Sequence, residues 1–314
     1  MSKRIECFAH IPYIRLPKDK NEYLFNSSYL TRLDFTDWQA LSKAGGFHRD
    51  DYNKTDPVFF KISYEEDELE DPDELFKNLW PEFHNEAYYV YFFILLTTGL
   101  RLPEPELSVG YYHDYKENKT APIIGSYYYE AVAYTQPEHT YEVDDTIIQN
   151  TEMLLGNYPL DLANHPLRIP ELENAKEILM QLSRPDFSIH QDFVYCVAAM
   201  EAILVPEYIE NLSEVFSTRG ASLFSKGHQD IFNSNYLCFK AIYDLRSRIV
   251  HSENYQRQLT ELSKLMNNQY PLTIARRVLC TLVKVIMNLH LESSFDKNFT
   301  ISEIIENVEQ STLS

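Results

Sequence analysis

The second half of the chain carries apolar residues at spacings of three and four, the pattern of helices that bury one face. The pattern starts near Pro170 and predicts five helices with short connections, which is typical of a helical bundle. A further short helix is predicted in ISEIIENVE. The five predicted helices are Glu171–Arg184, Ile189–Val205, Asn211–Gly227, Ser234–His251 and Pro271–Leu291.

The first half of the chain mixes strand and helix signals. β-branched and aromatic residues dominate PVFFKISY (Pro57–Tyr64) and GSYYYEAVAYT (Gly125–Thr135), which predicts two strands. The stretch Asp71–Trp80 opens with Asp and Pro, as helices do, and Pro81 is expected to interrupt it. A second helix is predicted over Asn85–Leu100. This half therefore has an α+β pattern.

A proline-bearing stretch, NHPLRIP at residues 164–170, separates the two patterns. We therefore predict a mainly α protein with two domains. An α+β N-terminal domain is expected over residues 1–168, and a helical bundle over residues 169–314.

The longest apolar run, Tyr88–Leu100, is shorter than the roughly 20 residues that cross a bilayer, so no membrane contact is predicted. The N-terminal residues lack the continuous apolar core of a signal peptide. The expected location is the cytoplasm. Four widely spaced cysteines lack the spacing of metal or redox motifs, and we expect them to be reduced core residues. They are Cys7, Cys196, Cys238 and Cys280.

The net charge of −19 argues against a protein that coats nucleic acid through bulk electrostatics, although residues 239–290 are locally basic. Glycine-rich phosphate loops are absent. His48 and His113 stand beside carboxylates, but neither has a second metal ligand at a useful spacing. The sequence therefore predicts no cofactor and no metal.

The stretch YDLRSRIVHSEN, Tyr243–Asn254, ends the fourth predicted helix and concentrates cationic and titratable groups. Ser234 or Asn235 can cap the start of this helix. An apolar stripe at steps of three and four leaves the cations off the buried face. That stripe consists of Cys238, Ile242, Leu245 and Ile249.

Two interpretations of Arg246, Arg248 and His251 are open. Cations in the last turn of a helix are stabilised by the macrodipole by about 0.3–1 kcal/mol, which needs no function. A functional site instead needs a cation and a titrating base close together. Arg248 and His251 are helical neighbours, whereas Arg246 and His251 are separated by about 140° and about 7.5 Å of rise. Arg246 and His251 can still converge if the helix ends near His251, or if a second copy of the helix supplies the partner group across a two-fold axis.

The motif resembles the signature of HEPN domains, an arginine followed after four to six residues by a histidine, and in particular the RS-x-x-VH form of the Apea-like HEPN family. The segments FVYCVAAMEAILVP, NLSEVFSTRGASLF and ARRVLCTLVKVIMNL resemble other helices of that family, so the resemblance covers roughly residues 175–292. Ser247 stands where many HEPN nucleases have Asn, Asp or His. Ser252 replaces a glycine that is frequent in Apea-like members.

This resemblance implies a HEPN-type bundle that cleaves RNA without a metal ion, by attack of the ribose 2′-hydroxyl to leave a 2′,3′-cyclic phosphate. His251 would transfer the proton and Arg246 would stabilise the transition state. The implied substrate-binding residues are Arg248, Ser247 and Tyr243.

By the same resemblance the protein is expected to be a homodimer through the bundle and a toxin or phage-defence effector. Its N-terminal domain would receive a regulatory ligand or protein.

Arg276 and Arg277 could extend the basic groove or face solvent. The alternatives are a non-catalytic HEPN module that binds RNA, a nucleotide or a protein partner, and a purely structural dimerisation bundle.

Overall fold

The chain divides into two compact units in the computed structural model. One unit comprises Met1–Ile94 and Leu102–Leu160, and the other comprises Leu95–Arg101 and Asp161–Ser314. The predicted boundary at residues 168 and 169 lies outside the described residues. The structure describes residues 3–11, 14–25, 28–37, 39, 58–66, 72–99, 108–114, 119–122, 141–157, 170–182, 188–206, 210–225, 228–267, 270–292 and 301–313.

The first unit contains a six-stranded antiparallel sheet with the strand order β3-β4-β5-β1-β6-β7, and a short parallel pair of β2 with β8. The strand predicted over Pro57–Tyr64 is confirmed as β5, whereas Gly125–Thr135 lies outside the described residues. The strands are β1 (Lys3–Ile11), β2 (Ile14–Arg15), β3 (Glu22–Phe25), β4 (Ser28–Arg32), β5 (Val58–Glu66), β6 (Ser108–Asp114), β7 (Lys119–Pro122) and β8 (Tyr141–Glu142).

Strand β1 lies between β5 and β6 and is buried on both faces. Ile5, Cys7 and Ala9 point to one face, and Phe8 and His10 to the other, all with less than 4% exposure. Such a strand lacks the alternation of apolar and polar residues that marks a half-exposed strand. The sequence pattern therefore did not single it out.

Helix α1 (Pro72–Thr98) is continuous through Pro81, so the predicted interruption is wrong. A proline inside a helix costs about 3 kcal/mol because a backbone hydrogen bond is lost. Val90, Phe93 and Ile94 in its second half are fully buried, and each contributes about 1.5–3 kcal/mol. Their burial outweighs the cost of the proline. Helix α2 (Asp145–Asn157) also belongs to the first unit.

The second unit is a helical bundle with α4 at its centre, since α4 contacts α3, α5, α6, α8 and α9. The five predicted helices and the short one after them are confirmed, and α7 was not predicted. Ser188 and Gln191 form a capping box that starts α4. The helices are α3 (Pro170–Gln181), α4 (Ile189–Leu204), α5 (Leu212–Ser225), α6 (Gln229–Val250), α7 (Gln256–Leu265), α8 (Pro271–Glu292) and α9 (Ile301–Leu313).

Helix α6, which carries the motif, starts earlier than expected. Its N-cap is His228, so capping by Ser234 or Asn235 is wrong; the Asn235 amide instead donates to Ser225 Oγ at 3.0 Å. The buried face of α6 is formed by Phe239, Ile242 and Leu245, whereas Cys238 and Ile249 of the predicted stripe are only half-buried. Phe239 packs against α5, so the buried face of α6 includes position 239 and not the predicted position 238.

The chain is mainly helical with an N-terminal sheet region. Among the described helices, none combines the length and the apolar character needed to cross a bilayer. All four cysteines are free thiols; three are buried and Cys238 is half-buried.

Candidate functional site

The backbone at the end of α6 forms a Schellman motif. The Ser252 N–H donates to the Ile249 carbonyl at 3.2 Å, and the Glu253 N–H donates to the Arg248 carbonyl at 2.9 Å. Ser252 has a φ of 55°, in the left-handed region that favours glycine. The chain therefore turns sharply away from the helix directly after His251.

His251 is the C-cap residue of α6, and its side chain is at the exposed end of the helix. Its backbone N–H donates to the Ser247 carbonyl at 3.1 Å, which holds the residue on the last turn. Ser247 itself is half-buried. The imidazole of His251 is therefore accessible to a ligand, while its backbone is held by the helix.

Arg246 turns toward α4. Its Nη2 lies 3.9 Å from Oε2 of Glu201, and each side chain is 26% exposed. Arg246 Nε and Glu201 Oε2 are both buried and have no hydrogen-bond partner in the described part of the protein. The two charges are thus close but not hydrogen-bonded, which leaves the Nε donor of the guanidinium without a partner among the described residues.

Tyr243 belongs to the same cluster. Its ring centroid lies 5.2 Å from that of Phe216, which is fully buried on α5. Burial raises the pKa of Tyr243, the charge of Glu201 raises it further, and Arg246 lowers it. The Tyr243 ring is thus in contact with the core of the bundle.

Arg248 points elsewhere and makes an exposed ion pair. Its Nη1 lies 3.0 Å from Oε2 of Glu253, just beyond the helix end. Exposed pairs of this kind contribute about 0–1 kcal/mol, so an anionic ligand can displace the glutamate. The pKa of the neighbouring Asp244 is raised by burial and lowered by Lys240 and Arg248.

The predicted site residues therefore form two groups within one chain. Tyr243 and Arg246 share the α4 side of α6, whereas Arg248 lies with Glu253. In the described ranges, no hydrogen bond joins Arg246 to His251. The sequence pattern did not single out Glu201, although a glutamate inside the apolar run CVAAMEAILV is a visible signal.

The expectation that Arg276 extends a groove or faces solvent is wrong. Arg276 is 3% exposed, and its Nη2 donates to Asp192 Oδ1 at 2.8 Å. Its Nη1 also lies 3.5 Å from the Leu179 carbonyl. Sequence spacing could not show this, because a carboxylate on another helix offsets the cost of burying the cation. Arg277 is exposed.

The histidines considered as metal ligands have other surroundings. His113 Nδ1 lies 2.8 Å from Thr120 Oγ1 on the neighbouring strand, and His48 lies outside the described residues. Within the described ranges, no group of three or more His, Cys, Asp or Glu side chains is arranged to hold a metal ion.

No protein-family model, curated protein or solved structure matches this chain. The resemblance to the Apea-like HEPN family and the roles of the α6 residues therefore remain predictions.

Proposed function

We propose that this protein is a HEPN-type endoribonuclease of the Apea-like kind, which cleaves RNA without a metal ion. The proposal rests on the arrangement of two side chains at the end of α6. There an exposed imidazole on the C-cap residue, His251, follows a half-buried and loosely paired guanidinium, Arg246.

The chemistry of these two groups suits transesterification. An imidazole can both accept and donate a proton, so His251 can accept the 2′-hydroxyl proton or protonate the leaving 5′-oxygen. The attacking oxygen forms a new bond to phosphorus while the bond to the 5′-oxygen breaks, which leaves a 2′,3′-cyclic phosphate. The guanidinium of Arg246 stabilises the extra negative charge on the phosphorus oxygens as it develops.

The proposed site is composite. Arg246 faces α4 while His251 caps the helix end, so we propose that paired copies of α6 in a homodimer bring the two groups together. Arg248 and Ser247 would contact the phosphate backbone of the RNA substrate. Tyr243, which is half-buried beside Phe216, would stack on a base.

By the family resemblance, we place the protein in the cytoplasm as a toxin or phage-defence effector. The first unit would then be a regulatory or recognition domain that responds to a ligand or a protein. Expression of the wild-type chain in bacteria should arrest growth, and His251→Ala should abolish the arrest.

The direct test is cleavage of RNA by the purified full-length chain in EDTA. We expect products with 2′,3′-cyclic phosphate ends, and a loss of at least about 100-fold in rate for His251→Ala and for Arg246→Ala. Arg257→Ala is a matched control, since Arg257 is an exposed arginine on α7 that pairs with Glu261. Full activity of His251→Ala would contradict the proposal. RNA binding without cleavage would favour the non-catalytic alternative.

A further inference from the structure

We infer that Glu201 is the positioning residue of Arg246: in the resting protein its carboxylate holds the guanidinium against α4 and competes with an RNA phosphate for it. This inference rests on the proposed function, because it assigns Arg246 to the substrate phosphate. Glu201 lies on α4 and Arg246 on α6, and these helices contact each other within the bundle.

The first argument comes from the unused hydrogen-bonding groups. Arg246 Nε and Glu201 Oε2 are both buried without a hydrogen-bond partner in the described residues. Burying such groups unpaired is costly, so a ligand that supplies a hydrogen-bond partner to the guanidinium gains free energy. The separation of 3.9 Å between Nη2 and Oε2 is too long for a hydrogen bond but short enough for strong attraction.

The second argument concerns accessibility. Both side chains are 26% exposed although Nε and Oε2 are buried, so the exposed part of each belongs to its other atoms. Glu201 thus approaches Arg246 from the inner side, and part of the guanidinium side chain stays open to a ligand. A carboxylate in this position can orient the cation and compete for it, while the guanidinium side chain stays within reach of a phosphate.

The third argument concerns the surroundings of the pair. Burial raises the pKa of the neighbouring Tyr243, Glu201 raises it further and Arg246 lowers it, so both charges act on this side chain. The Tyr243 ring packs on the fully buried Phe216. The pair therefore lies between two helices that contact each other, α4 and α6, and a change at Glu201 acts directly on Arg246.

Two opposite effects follow from removing the charge of Glu201. A phosphate no longer competes with the carboxylate, so RNA should bind more tightly. The guanidinium is also less well oriented, so the rate of the chemical step should fall. A residue with a purely structural role would not produce tighter binding together with slower cleavage.

The binding experiment uses a 2′-O-methyl RNA oligonucleotide, which cannot be cleaved because its 2′-oxygen carries no proton. We expect Glu201→Gln to bind it about three- to tenfold more tightly than the wild type, and Arg246→Ala to bind it more weakly. The double variant should match Arg246→Ala, because Glu201 acts through Arg246.

The matched control is Glu214→Gln, which removes the same charge from an exposed glutamate on α5 that accepts a hydrogen bond from Tyr236. It should leave the affinity unchanged, because the effect is local and not one of net charge. Unchanged affinity of Glu201→Gln, or an equal gain in the Glu214→Gln control, would overturn the inference. So would a gain that persists in the double variant.

Cleavage of unmodified RNA separates this inference from the proposed function. For a nuclease we expect Glu201→Gln to lower kcat about tenfold while KM does not rise, and Glu201→Asp to recover part of the loss. In one outcome the wild type binds RNA but never cleaves it, and the affinity gain of Glu201→Gln still depends on Arg246. The nuclease proposal then fails, and the pairing of Glu201 with Arg246 stands. If cleavage is normal and the coupling is absent, the inference alone fails. Failure of the wild type to bind the oligonucleotide would overturn both.

Discussion

At the scale of single residues, the backbone at Ser252 adopts a conformation that glycine would adopt without strain. The φ of Ser252 is 55°, in the left-handed region. A residue with a Cβ costs about 1–2 kcal/mol in that region, whereas glycine does not.

We predict that Ser252→Gly raises the free energy of unfolding by about 1 kcal/mol, because it relieves the left-handed strain at the end of α6. Denaturant unfolding of the full chain measures the change. Ser252→Ala is the control, since it keeps the Cβ and should give no gain. Equal stabilisation by both variants would show that the side-chain hydroxyl, and not the backbone, is responsible.

A second prediction concerns His10 on β1. His10 is 3% exposed beside Phe59, and burial lowers its pKa to about 3. The unfolded chain protonates this histidine near pH 6.5, whereas the folded chain keeps it neutral until about pH 3. The stability from neutral His10 is therefore complete above pH 6.5 and is lost as the pH falls toward 3.

Between pH 7 and pH 5 the wild type should lose about 2 kcal/mol of stability that a His10→Gln variant does not lose. The measurement is the difference in unfolding free energy between the two proteins across this range. A difference that stays constant with pH would mean that His10 takes up its proton as readily in the folded state as in the unfolded state.

At the scale of elements, helical periodicity located the bundle well. It predicted α3, α4, α5 and α8 to within three residues at each end. It placed the start of α6 five residues late, because five of the first seven residues of that helix are polar. It missed α7 because only Leu262 of that helix is buried. One buried residue cannot produce a recognisable apolar stripe.

The close packing of α5 on α6 leads to a third prediction. A Cβ built on Gly220 would lie 2.5 Å from the Phe239 ring, which is 2% exposed. Gly220→Ala should therefore lower the unfolding free energy by about 1–3 kcal/mol, although alanine is the better helix former by about 1 kcal/mol. Thermal or denaturant unfolding measures the loss.

The matched test of this packing uses Phe239→Leu, which removes the ring. In that background Gly220→Ala should cost less than it does in the wild type, because the added methyl group then has space. The same cost in both backgrounds would show that the added methyl group does not clash with the Phe239 ring.

At the scale of the whole molecule, the proposed composite site predicts complementation between inactive variants. Arg246→Ala and His251→Ala chains should each be inactive, but a mixture re-associated from separated chains should recover about one quarter of wild-type activity. Half of the randomly formed dimers are then mixed, and each mixed dimer has one intact site of two. RNA cleavage together with the molar mass in solution measures this recovery.

Two outcomes would argue against paired helix ends. Mixed dimers without activity would mean that Arg246 and His251 act within the same chain. A protein that stays monomeric at the concentrations where it cleaves RNA would exclude the dimer as the active form.

The sequence alone determined those features that depend on near neighbours along the chain. The spacing of apolar residues identified the bundle helices, and the order of residues in Tyr243–Asn254 placed a cation and an imidazole at one helix end. Local periodicity suffices for such features because helical neighbours are three and four residues apart.

Only the tertiary structure decided which charged groups meet. Arg276 is buried against Asp192, 84 residues away in sequence, and Arg246 faces Glu201 on another helix. No spacing rule specifies these partners, because contacts between helices depend on how the buried faces pack. Tertiary packing also decided that β1 is buried on both faces and that α1 continues through Pro81. In both elements the burial of apolar side chains outweighed the local sequence preference.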